Sequence, residues 1–399
     1  VMSFNNDVYF YQSGHQPLES VAGSTTLVGL TSTGGSSAPQ GNEVLAAFGR
    51  VWTCDLADNK YVVYWSSLLA GDDWHGGSSG SVDLTTVWPT GFDEVVSLAE
   101  HNGFLIIFGK KSIIIYTGAE SPSSDLTLSD TIEGVGCVAR DSVQSTGSDL
   151  FFLSSRGVMS LGRLLQQKSL PLNDVSKNVR SDLLQSLSIE VHANGRREAI
   201  KSIYSPTDAF YLLTFPDSSL VYCFDLRAPL ENGAYRVTTW SAIKPISFAI
   251  FADDQLYMGH DEGIVEYGTY LDGATKYQMR YFSNALDFGN SANLKFLKKF
   301  NLTIIGGQNA QAVLNWGYDY TSAFTKQSFT LTGSTNPGEY GVSEYNTNAE
   351  YTAAATVNTP RVNTAGSGEV VTIGVEAEIN NSAFSIQKID IHAILGRLI

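Results

Sequence analysis

Apolar residues along this chain come in short paired runs. Phe104–Phe108 and Ile113–Tyr116 are joined by the turn Gly109-Lys110-Lys111-Ser112, and neither run has polar alternates. In strands, continuous apolar runs of this length mean burial on both faces. The same arrangement recurs at Arg50–Thr53 with Tyr61–Trp65, Asp149–Leu153 with Val158–Leu161, Ala209–Leu213 with Leu220–Phe224, and Gln255–Met258 with Gly263–Tyr267. Val51, Phe104, Leu150, Phe210 and Leu256 then become equivalent first positions, separated by steps of 53, 46, 60 and 46 residues. A repeat of that size built on hairpins predicts a β-propeller, whose inner strands pack against neighbouring blades on both sides.

The longest step contains a different pattern. In Asn173–Leu187 the residues Val175, Val179, Leu183, Leu184 and Leu187 fall at helical spacing, with Asn173 or Asp174 placed to cap, so one amphipathic helix is expected before the fourth hairpin. Leu27–Leu30 offers a further or closing strand. After Gly268 the period is lost. Strands are expected at 277–281, 296–305, 312–318, 328–331, 370–379 and 386–394, and the alternation in Glu369–Glu378 gives them one wet face. A polar stretch from Gly333 to Gly368 is too long for an ordinary connection and reads as a loop that orders against a neighbour or gates a channel.

The expected class is therefore all-β: a propeller of five or more blade hairpins with one inserted helix, then an antiparallel sandwich-like domain. The boundaries are 1–43 for a segment joining or closing the propeller, 44–270 for the propeller, and 271–399 for the sandwich with its loop 333–368.

Composition narrows the function classes. The 399 residues carry 19 Tyr, 20 Phe and 37 Gly with only 16% charged residues, which favours strands and tight turns. Net charge is −15, and no basic cluster exceeds pairs such as Lys110-Lys111, Arg196-Arg197 or Lys298-Lys299. A phosphate-gripping surface needs a basic footprint, so specific nucleic-acid binding is not expected. Cys54, Cys137 and Cys223 are widely spaced and lie in or beside apolar runs, which reads as buried thiols rather than zinc ligands or disulfides. No stretch approaches the ~20 apolar residues of a membrane span, and Val1-Met-Ser-Phe-Asn5 has no leader character, so a soluble chain is expected. A first residue other than Met suggests that residues are missing upstream.

Residues that could carry chemistry also have ordinary structural roles. Asp55, Asp58, Asp72-Asp73 and Asp253-Asp254 would be the source of a carboxylate pair for sugar chemistry or of calcium ligands, but Asp in turns commonly caps its own backbone. The sialidase-type box S-x-D-x-G-x-T-W is approached only by Arg236–Trp240, which lacks its Ser, Asp and Gly. His15, His75, His101, His192, His260 and His392 form no H-x-H or H-E-x-x-H pattern, and there is no G-x-S-x-G elbow or P-loop. Trp65, Trp74, Trp88 and Trp240 are either sugar platforms or covers of the core. Asn301-Leu-Thr303 and Asn380-Asn-Ser382 match the glycosylation acceptor and read as coincidence. No catalytic, cofactor-binding or metal residue is assigned, and no cofactor is expected.

Several of these stretches together resemble one family. Val62–Ser66 through Trp74 to Val82-Asp-Leu84, Asn102–Gly109, Ile132–Cys137, Gly157-Val158 and the ending Phe384–Arg397 are similar to the propeller region and close of the nozzle, or tail tubular protein B, of short-tailed bacteriophages. The resemblance spans about Val44 to Arg397, although this chain is shorter than the larger members. It implies a non-enzymatic virion protein: a hexameric ring in the phage tail through which genomic DNA passes without specific binding. Tail adaptor, portal-side and fibre proteins are the implied partners. The alternative is a glycan-binding propeller of a virion or cell surface, followed by a glycosidase.

Overall fold

The computed structural model describes residues 1–32, 37–89, 91–166, 174–241, 243–251, 254–261, 263–307, 310–332 and 357–398. It divides into two compact units, Val1–Tyr267 and Gly268–Ile399.

The first unit is a β-propeller of six antiparallel meanders, each with its strands in chain order. Blade 1 holds β1 (Met2–Phe4), β2 (Asp7–Phe10), β3 (Leu18–Ser20) and β4 (Val28–Gly29). Blade 2 holds β5 (Glu43–Ala47), β6 (Arg50–Cys54), β7 (Val62–Trp65) and β8 (Gly80–Asp83). Blade 3 holds β9 (Val95–His101), β10 (Phe104–Gly109), β11 (Ser112–Thr117) and β12 (Thr127–Glu133), with a one-turn helix α1 (Pro122–Asp125) before the last strand. Blade 4 has three strands, β13 (Gln144–Ser145), β14 (Leu150–Ser154) and β15 (Gly157–Ser160), followed by α2 (Leu161–Gln166) and α3 (Arg180–Ser188). Blade 5 holds β16 (Lys201–Ser205), β17 (Phe210–Phe215), β18 (Leu220–Asp225) and β19 (Arg236–Trp240); blade 6 holds β20 (Ser247–Ile250), β21 (Leu256–His260) and β22 (Gly263–Glu266).

The doubly apolar hairpin has a direct explanation. Leu105, Ile107, Ile114 and Tyr116 share one core with Trp52, Val63 and Trp65 of blade 2. The alternate residues Ile106, Phe108, Ile113 and Ile115 share another with Leu150, Phe152 and Met159 of blade 4. Register supports the split, because Ile107 faces Ile114 and Phe108 faces Ile113 across the hairpin. Blade 4 repeats the scheme toward blade 5 through Phe151 and Leu153 against Tyr211 and Leu213. Blade 5 meets Leu256 of blade 6 through Phe210, Leu212 and Val221. Tyr9 and Leu30 of blade 1 meet Val51 of blade 2. Five shared cores thus join six blades in series; among the described residues none joins blade 6 to blade 1.

Turn chemistry agrees with the repeat. Asn102 and Gly103 both take positive φ, 52° and 78°, the conformation that a two-residue hairpin turn requires. Buried Asp93 accepts the Lys110 N–H at 3.0 Å and the Lys111 N–H at 2.8 Å, fixing the next turn.

Residues 1–43, expected to join or close the propeller, hold a four-stranded blade of their own in Met2–Gly29. Its strands are two to four residues long and carry polar alternates such as Glu19 and Ser20, so no apolar run announces them. The inserted helix starts at Arg180 rather than at 173 or 174. Asp174–Ser176 is instead recruited by β15: Val175 N–H bonds the Val158 carbonyl at 3.0 Å, and Ser176 Oγ accepts the Val158 N–H at 3.0 Å. Asn173 lies outside the described residues. Nor is there a single helix, since α1 and α2 precede it.

The second unit is a two-sheet antiparallel sandwich. One sheet runs β23 (Tyr277–Phe282), β30 (Val371–Ile379), β25 (Gln311–Tyr318), β26 (Thr325–Thr330). The other is centred on β24 (Asn293–Gly306), flanked on one side by β27 (Val357–Asn358), β28 (Arg361–Asn363) and β29 (Ser367–Gly368), and on the other by β31 (Phe384–Leu398). Phe300, Leu302 and Ile304 of β24 pack against Leu314, Trp316, Ile373 and Val375 of the facing sheet. The expected loop 333–368 lies outside the described residues up to 356, and its remainder is the three short strands β27 to β29 rather than loop.

Candidate functional site

The centre of a propeller is where its first strands converge. β1 packs on β5, β5 on β9, and β16 on both β13 and β20, so these strands line the interior. Four charged side chains from different blades meet there. Glu43 comes from β5, Arg140 and Asp141 from the 3-10 turn Arg140–Ser142 ahead of β13, and Lys201 from β16.

Arg140 clasps Asp141 through two parallel hydrogen bonds, Nε to Oδ1 at 2.8 Å and Nη2 to Oδ2 at 2.9 Å. Its Nη1 donates to the Asn42 carbonyl at 2.7 Å, and its Nε lies 3.5 Å from Glu43 Oε2. Lys201 Nζ donates to Asp141 Oδ2, and Ser202 Oγ donates to the Asp141 carbonyl at 2.8 Å. Glu43 Oε1 accepts Ser97 Oγ at 2.9 Å and the Leu98 N–H at 3.3 Å, both from blade 3. The network carries two positive and two negative side chains and ties blades 2, 3, 4 and 5 together.

Electrostatics separate the two acids. Burial pushes the Glu43 carboxyl up to about 7, against the opposing pull of Arg140 and the Ser97 hydrogen bond. Burial acts the same way on Asp141, but hydrogen bonds from Arg140 and Lys201 outweigh it and hold that carboxyl below its ordinary range. Each acid is thus engaged by partners from neighbouring blades, and the arrangement fastens those blades to one another.

The residues singled out from sequence lie elsewhere. Asp55 pairs with Lys60 and accepts Asn42 Nδ2 at 3.1 Å. Asp73 Oδ1 accepts the His75 N–H at 3.2 Å and the Gly76 N–H at 2.7 Å, a turn-capping role. Asp58 and Asp254 are exposed, and Asp253 lies outside the described residues. His75 Nδ1 meets Ser32 Oγ at 3.0 Å, His392 meets Asn301 Nδ2 at 3.1 Å, and His101 is buried at the end of β9. Among the described residues no three of His, Cys, Asp and Glu come together as metal ligands. All three cysteines are buried and free. Trp65, Trp74 and Trp88 are 4 to 6% exposed and belong to blade cores, which removes them as sugar platforms. Trp240 is half-buried and stacks on Tyr267 with ring centroids 5.7 Å apart.

The central network was not among the sequence candidates. Glu43, Arg140 and Lys201 are far apart in sequence and share no motif; only their common place at or before the first strand of a repeat links them.

No known family profile matches the chain, and no curated protein does. Solved structures of low identity are similar to it. A protein from Lactobacillus plantarum is 12% identical, with 66% of this chain and 81% of the other covered and a TM-score of 0.36. KlAtg21, solved in complex with the coiled coil of AgAtg16, is 11% identical over 71% and 88%, with a TM-score of 0.37. A putative 6-phosphogluconolactonase from Bacteroides fragilis is 10% identical over 66% and 94%, with a TM-score of 0.33.

Proposed function

We propose that this chain is a structural virion protein of a phage tail, a nozzle or hub subunit that assembles into a ring for genome passage and docks neighbouring tail proteins. The observation that carries the reading is the unfinished edge of the sandwich. β31 is 15 residues long and, among the described residues, pairs only with β24. Ile394 and Leu395 near its end are 55% and 51% exposed, and Tyr281 on the edge strand β23 is 52% exposed. A long edge with exposed apolar side chains invites pairing with another chain unless it is covered.

Charge is consistent with a conduit. A net charge of −15 per chain, multiplied around a ring, repels phosphates, and the absence of a basic cluster in the sequence leaves DNA little to adhere to. The central network joins four blades, as a stiff scaffold requires.

Native mass spectrometry with negative-stain imaging tests the reading. A closed ring of about six copies supports it. A chain that stays monomeric at high concentration and binds oligosaccharides would replace it with the glycan-binding alternative.

A further inference from the structure

Glu190 is fully buried on the π-helical turn Ile189–Ala193 that ends α3. Its Oε1 accepts the Asp217 N–H at 2.5 Å and the Ser218 N–H at 3.4 Å, both from the turn between β17 and β18. Its Oε2 is buried with no hydrogen-bond partner, and so is Ser218 Oγ. The Asp217 carboxylate lies beside it, held by Arg196 Nη1 at 2.7 Å and Asn194 Nδ2 at 2.8 Å. The Arg196 N–H in turn bonds the Glu190 carbonyl at 2.8 Å, so the segment after α3 closes around the hairpin turn.

An ionised Glu190 would bury a charged oxygen without a donor next to a second carboxylate, an arrangement that is unfavourable unless it is neutralised. A proton on the Glu190 carboxyl removes the buried charge while Oε1 keeps its two backbone donors.

We propose that Glu190 is held protonated in the folded protein and forms a pH-sensitive clasp that fastens the inserted helix to the blade 5 hairpin. The inference stands apart from the tail reading. Burial first, and the neighbouring Asp217 after it, raise the Glu190 carboxyl above its ordinary range. Arg196 faces the pair through Asp217, while His192, Arg197 and Glu198 on the same segment are exposed. The folded protein therefore holds this proton more tightly than the unfolded chain. The clasp's stabilisation is complete below the ordinary glutamate range and is lost as pH rises through the folded value.

Amide hydrogen exchange of the peptide containing Asp217 and Ser218 reads the clasp directly, once rates are corrected for intrinsic pH dependence. Wild type is expected to lose protection as pH rises from below the ordinary glutamate value of 4.5 through the folded one, about tenfold for each unit by which the folded pKa is raised. Glu190→Gln keeps an acceptor and a donor without ionising, so it should hold the pH 5 protection at pH 8. Asp217→Asn removes the neighbouring negative charge and should move the loss to lower pH without abolishing it. The same loss in Glu190→Gln, no loss in wild type, or weaker protection of Glu190→Gln at both pH values would overturn the proposal. So would protection that depends on added calcium chloride, which would assign the orphan oxygen to a cation.

Discussion

Replacing Asp141 by Asn probes the central network most severely. The substitution keeps shape but removes the one carboxylate shared by Arg140 and Lys201. Arg140 keeps Glu43 at 3.5 Å and the Asn42 carbonyl, whereas Lys201 has no other carboxylate in the network. Breaking a buried ion pair from one side costs about 3–5 kcal/mol. Asp141 and Lys201 each keep 28% side-chain exposure, so water recovers part of that, and a loss of about 2–3 kcal/mol is expected. Urea unfolding at pH 7, followed by tryptophan fluorescence, reports the event, since Trp52 and Trp65 sit in the core between blades 2 and 3. Asp225→Asn is the matched control: Asp225 grips Arg227 with similar two-point geometry, but Arg227 is 72% exposed, so the midpoint should hardly move. The Asp141 carboxyl is held low, so its contribution is present above the ordinary aspartate range and lost as pH falls through the folded value. The difference between wild type and Asp141→Asn should therefore shrink in acid. Equal midpoints at pH 7 would refute the view that this network fastens the blades.

Further outcomes follow from other sites. Glu43 titrates in the opposite sense: from its ordinary 4.5 to about 7 the folded state loses roughly 3 kcal/mol as pH rises, so Glu43→Gln should be the more stable protein at pH 8 and equal to wild type near pH 4, read as melting temperature against pH. Phe152→Ala removes a fully buried ring whose centroid lies 4.9 Å from that of Phe108, and should cost about 3–5 kcal/mol in the same urea assay. Cys54, Cys137 and Cys223 are buried, and burial pushes the Cys137 thiol up to about 12, so a thiol reagent should label none of the three until the protein unfolds.

The sequence exposed what depends on repeated local chemistry. Every hairpin read from an apolar pair is present, from Arg50–Trp65 to Gln255–Tyr267; in blades 2 to 5 the strands are packed on both faces and so are apolar throughout, whereas β22 of blade 6 is largely exposed. The strands of the sandwich are readable for the related reason that β24 and β30 alternate buried positions with half-buried or exposed ones. Of blade 1 the sequence offers only the Leu27–Leu30 strand and a segment that joins or closes the propeller, because the strands are short and partly polar and the core residues Tyr9 and Leu30 borrow partners from blade 2. The start of α3 was misplaced because the bonds from Val158 to Val175 and Ser176 join segments distant in sequence, and they override a favourable helical spacing. The central network was illegible for the same reason: Glu43, Arg140, Asp141 and Lys201 gain meaning only when the first strands converge.

Ring assembly is the central claim, and the mass of the assembled chain tests it most directly. Native mass spectrometry of the 43.2 kDa chain, paired with negative-stain class averages, should show a closed ring of about six copies. A single species at the monomer mass across the accessible concentration range, with isolated particles in the images, would contradict it.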